Sequence, residues 1–370
     1  MALGQDDSAP LREQIGDVLR QHILDGKFAD GRLPSVRKLA QEYKLSKSTV
    51  ANAITELKQQ GLLRTTLKQG VYIASGDAQK RPEKKRTGRI GVFAHGSDDI
   101  LRDRIYFDAF NGVRRAASAR GFNVLYMGSE VSDEDHETVP MGIRDIDGLI
   151  YVVSRLPSEK FLREIVRRNI PLVMFDSRDA KQSLDCVLVD NVEGAKTVTR
   201  HLIGLGHRRI AFLNSAGGQS APERLEGYRQ TLEEAGIEFD PNLVAGITPL
   251  VSNGRSHMRA MLPLKPTAVF AFSDFLGMGA ILAAEDAGLS VPKDLSIASF
   301  GNEAAATYKE CTGRELTTVD VDMAGMGAEA VKLLLKRLEG STEPPQVVRQ
   351  PARLIIGNTT IKYRAPKASR

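Results

Sequence analysis

Two patterns of apolar and polar positions divide the chain, and they meet near residue 88. Beyond that point, short apolar runs alternate with amphipathic stretches of helical period. Short apolar runs favour buried strands, and a repeated strand–helix order favours parallel sheets covered by helices. Strands are predicted over residues 89–93, 123–126, 148–153, 172–175, 186–189, 209–213, 268–271 and 296–299.

Amphipathic segments lie between most of these strands, for example at residues 106–119, 158–168 and 191–205. This strand–helix pattern is longer than one sheet usually accounts for. Long chains divide into separate compact units, because a single hydrophobic core stops growing beyond a certain size. We therefore predict an α/β domain of two Rossmann-like lobes over residues 89–365. Such sheets bind ligands at the carboxyl ends of their strands, so a cleft between the lobes is the expected site.

The segment before residue 88 predicts two short helices. Ser35 is suited to cap a helix that ends near Tyr43, and Ser46 is suited to cap a second helix. The second helix carries one apolar stripe and a polar first turn. The stripe consists of Val50, Ala53, Ile54 and Leu57, and the polar turn consists of Lys47, Ser48 and Thr49.

This polar first turn suits a helix that recognises DNA. A helix in the major groove places its N-terminal residues nearest the bases, and its positive end favours phosphates. We therefore predict that Ser46, Lys47, Ser48 and Thr49 contact DNA. The alternative is a small helical subdomain whose lysines are merely solvated.

A hairpin is predicted after the second helix, over residues 62–66 and 71–74. Gly70 permits a positive φ at the turn, and Lys68 and Gln69 at the tip could reach the DNA backbone or minor groove. Helices followed by such a hairpin predict a winged helix-turn-helix domain over residues 1–77.

The charge distribution agrees with a nucleic-acid partner for this domain. Residues 1–88 hold 16 Lys and Arg against 10 Asp and Glu, whereas the remainder holds 35 against 36. A basic excess confined to one segment favours a polyanion partner, although it is also compatible with a solvated surface. Residues 78–88 form a charged, proline-containing run that predicts a linker.

Other classes of protein are disfavoured. Cys186 and Cys311 are the only cysteines, no signal-peptide pattern opens the chain, and the apolar run at 268–284 contains Asp274, so we expect a cytoplasmic protein without a membrane role.

An enzyme is a weaker alternative, since no G-x-G-x-x-G motif follows the first strand and His201 and His207 do not converge with metal ligands. No cofactor is expected. A sugar-binding transport component is opposed by the missing signal peptide and by the N-terminal domain.

The N-terminal domain resembles the winged helix of the GntR family over residues 10–75. The motifs that carry the resemblance are Gly26-Lys27-Phe28, residues 31–40 and Ser46-Lys47-Ser48-Thr49-Val50. The resemblance implies DNA contacts from Arg37, Lys47, Thr49 and the wing at Gly70. The sequence departs from the family at Ala51, where an arginine is common.

The C-terminal domain resembles the sensor of the LacI family. The motifs are residues 189–195, His201-Leu202, residues 204–212, residues 224–228, residues 266–270 with Asp274, residues 316–319, and Met326-Gly327. The resemblance implies the fold of periplasmic sugar-binding proteins. In that fold the chain crosses three times between two lobes, and the ligand binds between them. By this analogy lobe 1 takes residues 89–190 and 320–340, and lobe 2 takes residues 191–319 and 341–365.

Arg224 and Asp274 are the main ligand-binding candidates. Asp274 follows an apolar run and therefore stands at the carboxyl end of a strand, and Arg224 precedes Gly227 where the family places a ligand-binding arginine. A surface ion pair or, for Asp274, a helix N-cap is the alternative. Arg104, Tyr106 and Arg178 are weaker candidates, and the tyrosine is as often part of a core.

One departure affects the predicted ligand site. Where the family commonly carries an aspartate, this chain reads Ser299-Phe300-Gly301-Asn302. Asn302 or Glu303 is expected to supply that contact, or the ligand differs from the usual sugars.

These observations predict a homodimeric transcription regulator, most simply a repressor. It would bind a pseudo-palindromic double-stranded operator with one winged helix in each half-site. A sugar or related effector in the cleft would change the operator affinity. A ligand-dependent activator is the alternative within this class, and an enzyme of the same fold is the alternative outside it.

Overall fold

A computed structural model describes residues 11–24, 27–28, 31–59, 62–66, 70–73, 86–95, 104–129, 141–152, 158–179 and 183–364. The chain divides into two compact units, Met1–Arg86 and Thr87–Arg370, called here the N-terminal unit and the C-terminal unit.

The N-terminal unit consists of helices followed by a hairpin. Its elements are α1 (Leu11–Leu24), α2 (Val36–Glu42), α3 (Lys47–Gln59), β1 (Leu63–Thr66) and β2 (Gly70–Ile73). Ser35 caps α2 as predicted, accepting a hydrogen bond from the Lys38 amide at 3.3 Å. The strands pair antiparallel, with Leu63 opposite Ile73, which confirms the predicted hairpin. Their core includes Ile15, Leu19, Leu39, Val50, Ile54 and Leu57.

One parallel sheet of the C-terminal unit defines lobe 1. Its strands are β3 (Arg89–His95), β4 (Asn123–Ser129), β5 (Gly148–Val152), β6 (Leu172–Phe175), β7 (Asp185–Val189) and β13 (Val347–Gln350). They lie in the order β13-β7-β6-β5-β3-β4. The helices are α4 (Arg104–Ser118), α5 (Glu159–Arg167) and α11 (Met323–Leu338), and a short 3-10 helix spans Met141–Asp145.

A second sheet defines lobe 2. Its strands are β8 (Ile210–Ser215), β9 (Val244–Ile247), β10 (Ala268–Ala271), β11 (Ser296–Gly301), β12 (Thr317–Val321) and β14 (Ala352–Ile355). Their order is β14-β12-β11-β10-β8-β9, and only β14 runs antiparallel to its neighbour. The helices are α6 (Asn191–Gly204), α7 (Ser220–Glu234), α8 (Val251–Met261), α9 (Asp274–Asp286) and α10 (Ala305–Thr312), with 3-10 turns at Pro241–Leu243 and Leu262–Leu264.

All the strands predicted in this domain are present, but the lobe boundaries need two corrections. Residues 341–365 were predicted in lobe 2, whereas β13 pairs with β7 in lobe 1, with Val347 opposite Cys186. The cause is the buried carboxylate of Asp185, which accepts hydrogen bonds from Arg337 Nε at 2.6 Å and the Gln346 amide at 2.8 Å. In addition, β12 extends to Val321, so lobe 2 ends slightly later than the predicted residue 319.

Within the described residues the chain passes between the lobes at 189–191, 321–323 and 350–352. One apolar cluster continues across these crossings and includes Val189, Phe212, Val319, Val321 and Met326. The shared core places the carboxyl ends of both sheets next to each other. No helix in the described part of the chain combines the length and the apolar character needed to span a lipid bilayer.

Candidate DNA-binding surface and ligand cleft

The first turn of α3 carries a cluster of three hydroxyl groups. Ser46 Oγ accepts a hydrogen bond from the Thr49 amide at 3.0 Å, so this residue caps the helix as predicted. The same oxygen lies 2.8 Å from Ser48 Oγ and 2.7 Å from Thr49 Oγ1. Because Val50 and Ala53 are buried on the other side, the helix N-terminus and this cluster face outward. A positive helix end with hydroxyl donors can bind phosphate oxygens.

Basic side chains dominate the exposed charges of the segment that contains this turn. Across residues 31–59 the exposed charged side chains are Arg32, Arg37, Lys38, Lys44 and Lys47 against a single acidic one, Glu42. Such a surface attracts a polyanion. The two predicted basic residues in this range, Arg37 and Lys47, both belong to it.

Arg32 is a basic residue that sequence reasoning missed. It forms an isolated β-bridge with Tyr72, and its guanidinium carbon lies 5.8 Å from the tyrosine ring centroid. The segment before α2 is thereby held against the hairpin. Gly70 begins β2 opposite Thr66. Lys68 and Gln69, which were predicted at the tip of the wing, lie outside the described residues.

In the C-terminal unit, the loop after β6 of lobe 1 makes polar contacts with the start of α7 in lobe 2. The Arg178 amide donates to Gln219 Oε1 at 3.1 Å, and Gln219 Nε2 donates back to the Arg178 carbonyl at 3.0 Å. The Arg178 guanidinium also lies 3.2 Å from the Glu223 carboxylate at the start of α7. The predicted residue Arg178 therefore lies at the boundary between the lobes.

Arg224 is the centre of the polar contacts on the lobe 2 side. Its Nε donates to Asn191 Oδ1 at 2.9 Å, and its Nη1 donates to the Phe272 carbonyl at 2.5 Å. The guanidinium carbon lies 4.1 Å from the ring centroid of Phe272 and 3.6 Å from that of Phe300. Burial lowers the pKa of Arg224 to about 10, against the opposing effect of Asp176, Glu303 and Glu223. The contact to Asn191 joins α7 to the first crossing segment.

Half-buried Asp176 and buried Ser177 contribute polar groups from lobe 1. Burial raises the pKa of Asp176 to about 6, and the positive charge of Arg224 acts against that rise. Ser177 is 4% exposed, and its hydroxyl has no hydrogen-bond partner among the described residues. A buried hydroxyl without a partner is costly, and a bound polar ligand would relieve that cost.

The structure places Asp274 differently from its prediction. The residue is fully buried, and its carboxylate accepts from Ser299 Oγ at 2.6 Å, Thr318 Oγ1 at 2.8 Å and the Ala304 amide at 3.1 Å. These partners all belong to lobe 2, so the carboxylate joins α9 to the sheet and does not face the cleft. It is not the N-cap either, since Ser273 accepts from the Leu276 amide. The apolar strand is followed directly by α9, which is itself largely buried. Asp274 in the first turn of this helix therefore lies in the core.

The remaining predicted residues lie around the cleft with different surroundings. Asn302 donates from Nδ2 to Asp320 Oδ1 at 2.8 Å, so its amide is held by β12. Tyr106 is half-buried in the first turn of α4 and packs against the shared core. Arg104 begins α4, and its side chain lies outside the described residues.

A cavity of about 420 Å³ lies beside the second and third crossings. Its lining includes Asp108 of α4, Asp320, Asp322, Gln350 and Arg353. No group of His, Cys, Asp and Glu within the described ranges is arranged to hold a metal ion.

Sequence reasoning missed several residues that the structure brings together at the cleft. Asp176, Ser177 and Phe272 each follow the carboxyl end of a strand, which is the signal that could have identified them. The others are Asn191, Gln219, Glu223 and Phe300, and no local signal distinguishes them.

Comparisons with known proteins agree with this architecture. The model for bacterial regulatory proteins of the gntR family matches residues 11–73, and the periplasmic binding protein-like domain matches residues 199–360. The HTH-type transcriptional regulator DegA of Bacillus subtilis is 30% identical, over 75% of this chain and 82% of that protein. The arabinose metabolism transcriptional repressor of Geobacillus stearothermophilus is 24% identical, over 96% of this chain and 99% of that protein.

A solved structure shows the same fold. The transcriptional regulator CelR in its cellobiose complex superposes with a TM-score of 0.66 at 23% identity, covering 88% of this chain and all of that one. The predicted fold, two periplasmic-binding-protein-like lobes after a helix-turn-helix domain, is confirmed.

A gntR-type helix-turn-helix domain joined to a two-lobed sensor defines a DNA-binding transcription regulator, which confirms the predicted function class. The chain belongs to the HTH-type transcription regulators. Its DNA-binding domain matches the gntR family model, and its sensor has the fold of LacI-family regulators.

Proposed function

We propose that this regulator is a repressor whose operator affinity falls when a sugar or related polyhydroxylated effector binds between the lobes. The observation that carries the proposal is the set of partly or fully buried polar groups from both lobes, which lies around Arg224 at the carboxyl ends of the two sheets. The relative from Geobacillus is named as a repressor of arabinose metabolism, which supports both the sign and the effector class.

The chemistry of the cleft suits hydroxyl groups. Each sugar hydroxyl needs both an acceptor and a donor when it loses water, and an unpaired one costs about 1 to 3 kcal/mol. Asp176 offers a carboxylate, Ser177 a hydroxyl and Arg224 the free edge of a guanidinium. Arg178 and Glu223, which already join the lobes, would change their contacts as the lobes close on a ligand.

The DNA side of the proposal assigns direct contacts to α3 and its surroundings. Lys47, Ser48 and Thr49 enter the major groove, Ser46 and Arg37 bind phosphates, and the hairpin with Lys68, Gln69 and Gly70 contacts the flanking backbone. Two copies of the chain bind the two half-sites of a pseudo-palindromic operator. This activity requires no membrane and no catalytic step, and we place it in the cytoplasm.

The test combines a ligand screen with DNA binding. Full-length protein is heated with a panel of monosaccharides, because a ligand that binds the folded state raises the melting temperature. The sugar that raises it is then added to the protein on a fluorescent duplex from the promoter of its own gene. We expect the operator affinity to fall at least about tenfold, which corresponds to about 1.4 kcal/mol of coupling. A sugar that tightens DNA binding would instead identify an activated regulator, and indifference to every duplex would exclude the proposal.

A further inference from the structure

One polar side chain at the boundary between the lobes does not serve the helix to which it belongs. Gln219 stands at the N-cap position of α7, yet its side chain makes no hydrogen bond with the first turn of that helix. Helix N-caps are usually Ser, Thr, Asp or Asn, because a short side chain reaches the free amides. A position that gives up this local stabilisation is a candidate for a functional role.

The side chain of Gln219 instead holds the backbone of lobe 1. Its Oε1 accepts a hydrogen bond from the Arg178 amide at 3.1 Å, and its Nε2 donates to the Arg178 carbonyl at 3.0 Å. These two contacts are called the Gln219 clamp. A primary amide that pairs with both polar groups of one residue fixes the direction of that backbone as well as its distance. Neither contact uses the Arg178 side chain, so the clamp does not depend on what the guanidinium binds.

The Gln219 clamp lies next to the polar groups of both lobes. In lobe 1, Asp176 and Ser177 directly precede Arg178 in the chain, and Asp176 adopts φ +53°. A residue in this backbone conformation needs support from its surroundings. In lobe 2, Arg224 lies on the helix that Gln219 begins. A contact at this point therefore fixes how far the lobe 1 groups lie from Arg224.

Side chains connect the Gln219 clamp with Arg224. Glu223 Oε1 lies 3.2 Å from the Arg178 guanidinium, and Glu223 Oε2 accepts from Asn191 Nδ2 at 3.0 Å. Asn191 Oδ1 accepts in turn from Arg224 Nε at 2.9 Å. Separating the lobes at this point breaks both contacts of the clamp together with the ion pair between Arg178 and Glu223. Because these contacts share partners, they stabilise one arrangement of the lobes jointly.

Resting on the proposed function, we propose that Gln219 is a positioning residue, which raises the affinity for the effector without contacting it. A ligand between the lobes needs the polar groups of both lobes at once, so an arrangement that is held beforehand leaves less ordering to be done on binding. Removing the clamp lowers the population of that arrangement, and the affinity falls by the same factor for every ligand that the cleft accepts. A residue that touches the effector would instead change the preference between ligands.

The first experiment measures sugar binding to full-length Gln219→Ala by titration calorimetry. Arabinose, ribose, glucose and galactose are each paired with the 2-deoxy derivative, and the weaker member of a pair is measured by competition. For the sugar that binds, we expect the dissociation constant to rise about three- to tenfold, as for the loss of two exposed hydrogen bonds. The ratio of the dissociation constants of sugar and deoxy derivative should keep its wild-type value.

Gln230→Ala is the matched control for this substitution. Gln230 belongs to the same helix, but its Nε2 donates to Glu226 within α7 and not to lobe 1. The control should therefore bind the sugar as the wild type does. Gln219→Glu is a second test variant, in case the alanine variant does not fold. It keeps an acceptor for the Arg178 amide and loses the donor to the Arg178 carbonyl, so it should also bind the sugar more weakly with an unchanged ratio.

The second experiment needs no sugar. Amide hydrogen exchange, followed by mass spectrometry of the peptide that contains Arg178, reports directly on the amide that Gln219 accepts from. We expect this amide to exchange faster in Gln219→Ala than in the wild type, and at the wild-type rate in Gln230→Ala.

The outcomes separate this inference from the proposed function. An unchanged dissociation constant in the Gln219 variants, or a changed ratio between sugar and deoxy derivative, overturns the positioning role. Unchanged exchange of the Arg178 amide overturns the clamp itself. In each of these cases the sugar-responsive regulator still stands. If no sugar of the panel binds the wild type while promoter DNA is still bound, the sugar response fails and the inference fails with it.

Discussion

The DNA-binding surface and the ligand cleft are organised in opposite ways. On α3 the polar contacts are local, since Ser46 bonds to Ser48 and Thr49, and the side chains stay outside the core. In the cleft the contacts join residues far apart in sequence, such as Arg224 with Asn191 and Phe272, and they are partly or fully buried. A surface that meets a large partner can be built from one amphipathic helix, whereas a cleft that encloses a small ligand has to be assembled by the whole fold.

This difference changes what a substitution does in each region. An exposed lysine near α3 has water as its alternative partner, so its removal affects binding more than stability. A buried polar group in the C-terminal unit holds other groups that cannot reach water, so its removal affects the fold first.

Replacing Asp274 by alanine should give the largest effect. The substitution leaves two hydroxyls and one backbone amide without their acceptor, and we expect a loss of about 3 to 5 kcal/mol in the free energy of unfolding. Urea unfolding followed by circular dichroism measures it, since the chain contains no tryptophan. The matched control is Asp286→Ala at the other end of α9, where the ion pairs with Arg255 and Arg259 are more exposed and the loss should be far smaller. Equal losses in the two variants would show that the buried contacts of Asp274 contribute little.

The same residue shows how far the sequence could predict this protein. The strand at 268–271 was predictable because an apolar run bounded by polar residues has few alternatives. That Asp274 lies at its carboxyl end was predictable too. The direction of its side chain was not, because it depends on Ser299 and Thr318, which come from other strands. The edge strand β13 was missed since its half-exposed residues carry no strong pattern, and its pairing depends on the distant Asp185.

The DNA-binding surface was more predictable for the same reason. Ser35 and Ser46 act within three residues of themselves, so spacing alone identifies both caps. Arg32 was missed because its position depends on a bridge to Tyr72.

Asp176 should make the stability of the C-terminal unit depend on pH in an unusual direction. Burial raises its pKa to about 6 from an ordinary value of 3.8. The folded state therefore holds the proton more tightly than the unfolded state, and the cost of ionising Asp176 is present above pH 6 and is relieved as the pH falls from 6 towards 4. Relative to Asp176→Asn, the wild type should gain about 2 kcal/mol in its free energy of unfolding between pH 7 and pH 4.

The measurement is urea unfolding of both proteins at several pH values. Only the difference between them is interpreted, since Glu164 and Asp179, whose pKa values are lowered by their partners, lose stability in acid equally in both. Parallel pH profiles would mean that Asp176 is no harder to ionise in the folded chain than in the unfolded one.

Replacing Lys47 by alanine should weaken operator binding about tenfold and leave sugar affinity intact. The loss of one phosphate contact should also reduce the slope of log affinity against log salt by about 1. Fluorescence anisotropy on the promoter duplex at several salt concentrations gives both values. Lys58→Ala serves as the control, because this lysine lies about 16 Å further along the same helix. A normal affinity and slope for Lys47→Ala would remove this residue from the interface.

Ser46 offers the smallest effect and the sharpest separation of stability from DNA binding. Ser46→Ala removes the cap of α3 and should cost about 1 kcal/mol of stability. Ser46→Asp keeps an acceptor for the Thr49 amide and suits the positive helix end, so the melting temperature should stay close to that of the wild type. The new carboxylate faces the predicted phosphate path, however, so operator affinity should fall more than in the alanine variant. Ser46→Asn keeps the cap without the charge, and it should preserve both properties. Equal operator affinities of the aspartate and asparagine variants would show that the first turn of α3 does not face phosphates. The contrast between an outward binding surface and an inward cleft would then lose its clearest example.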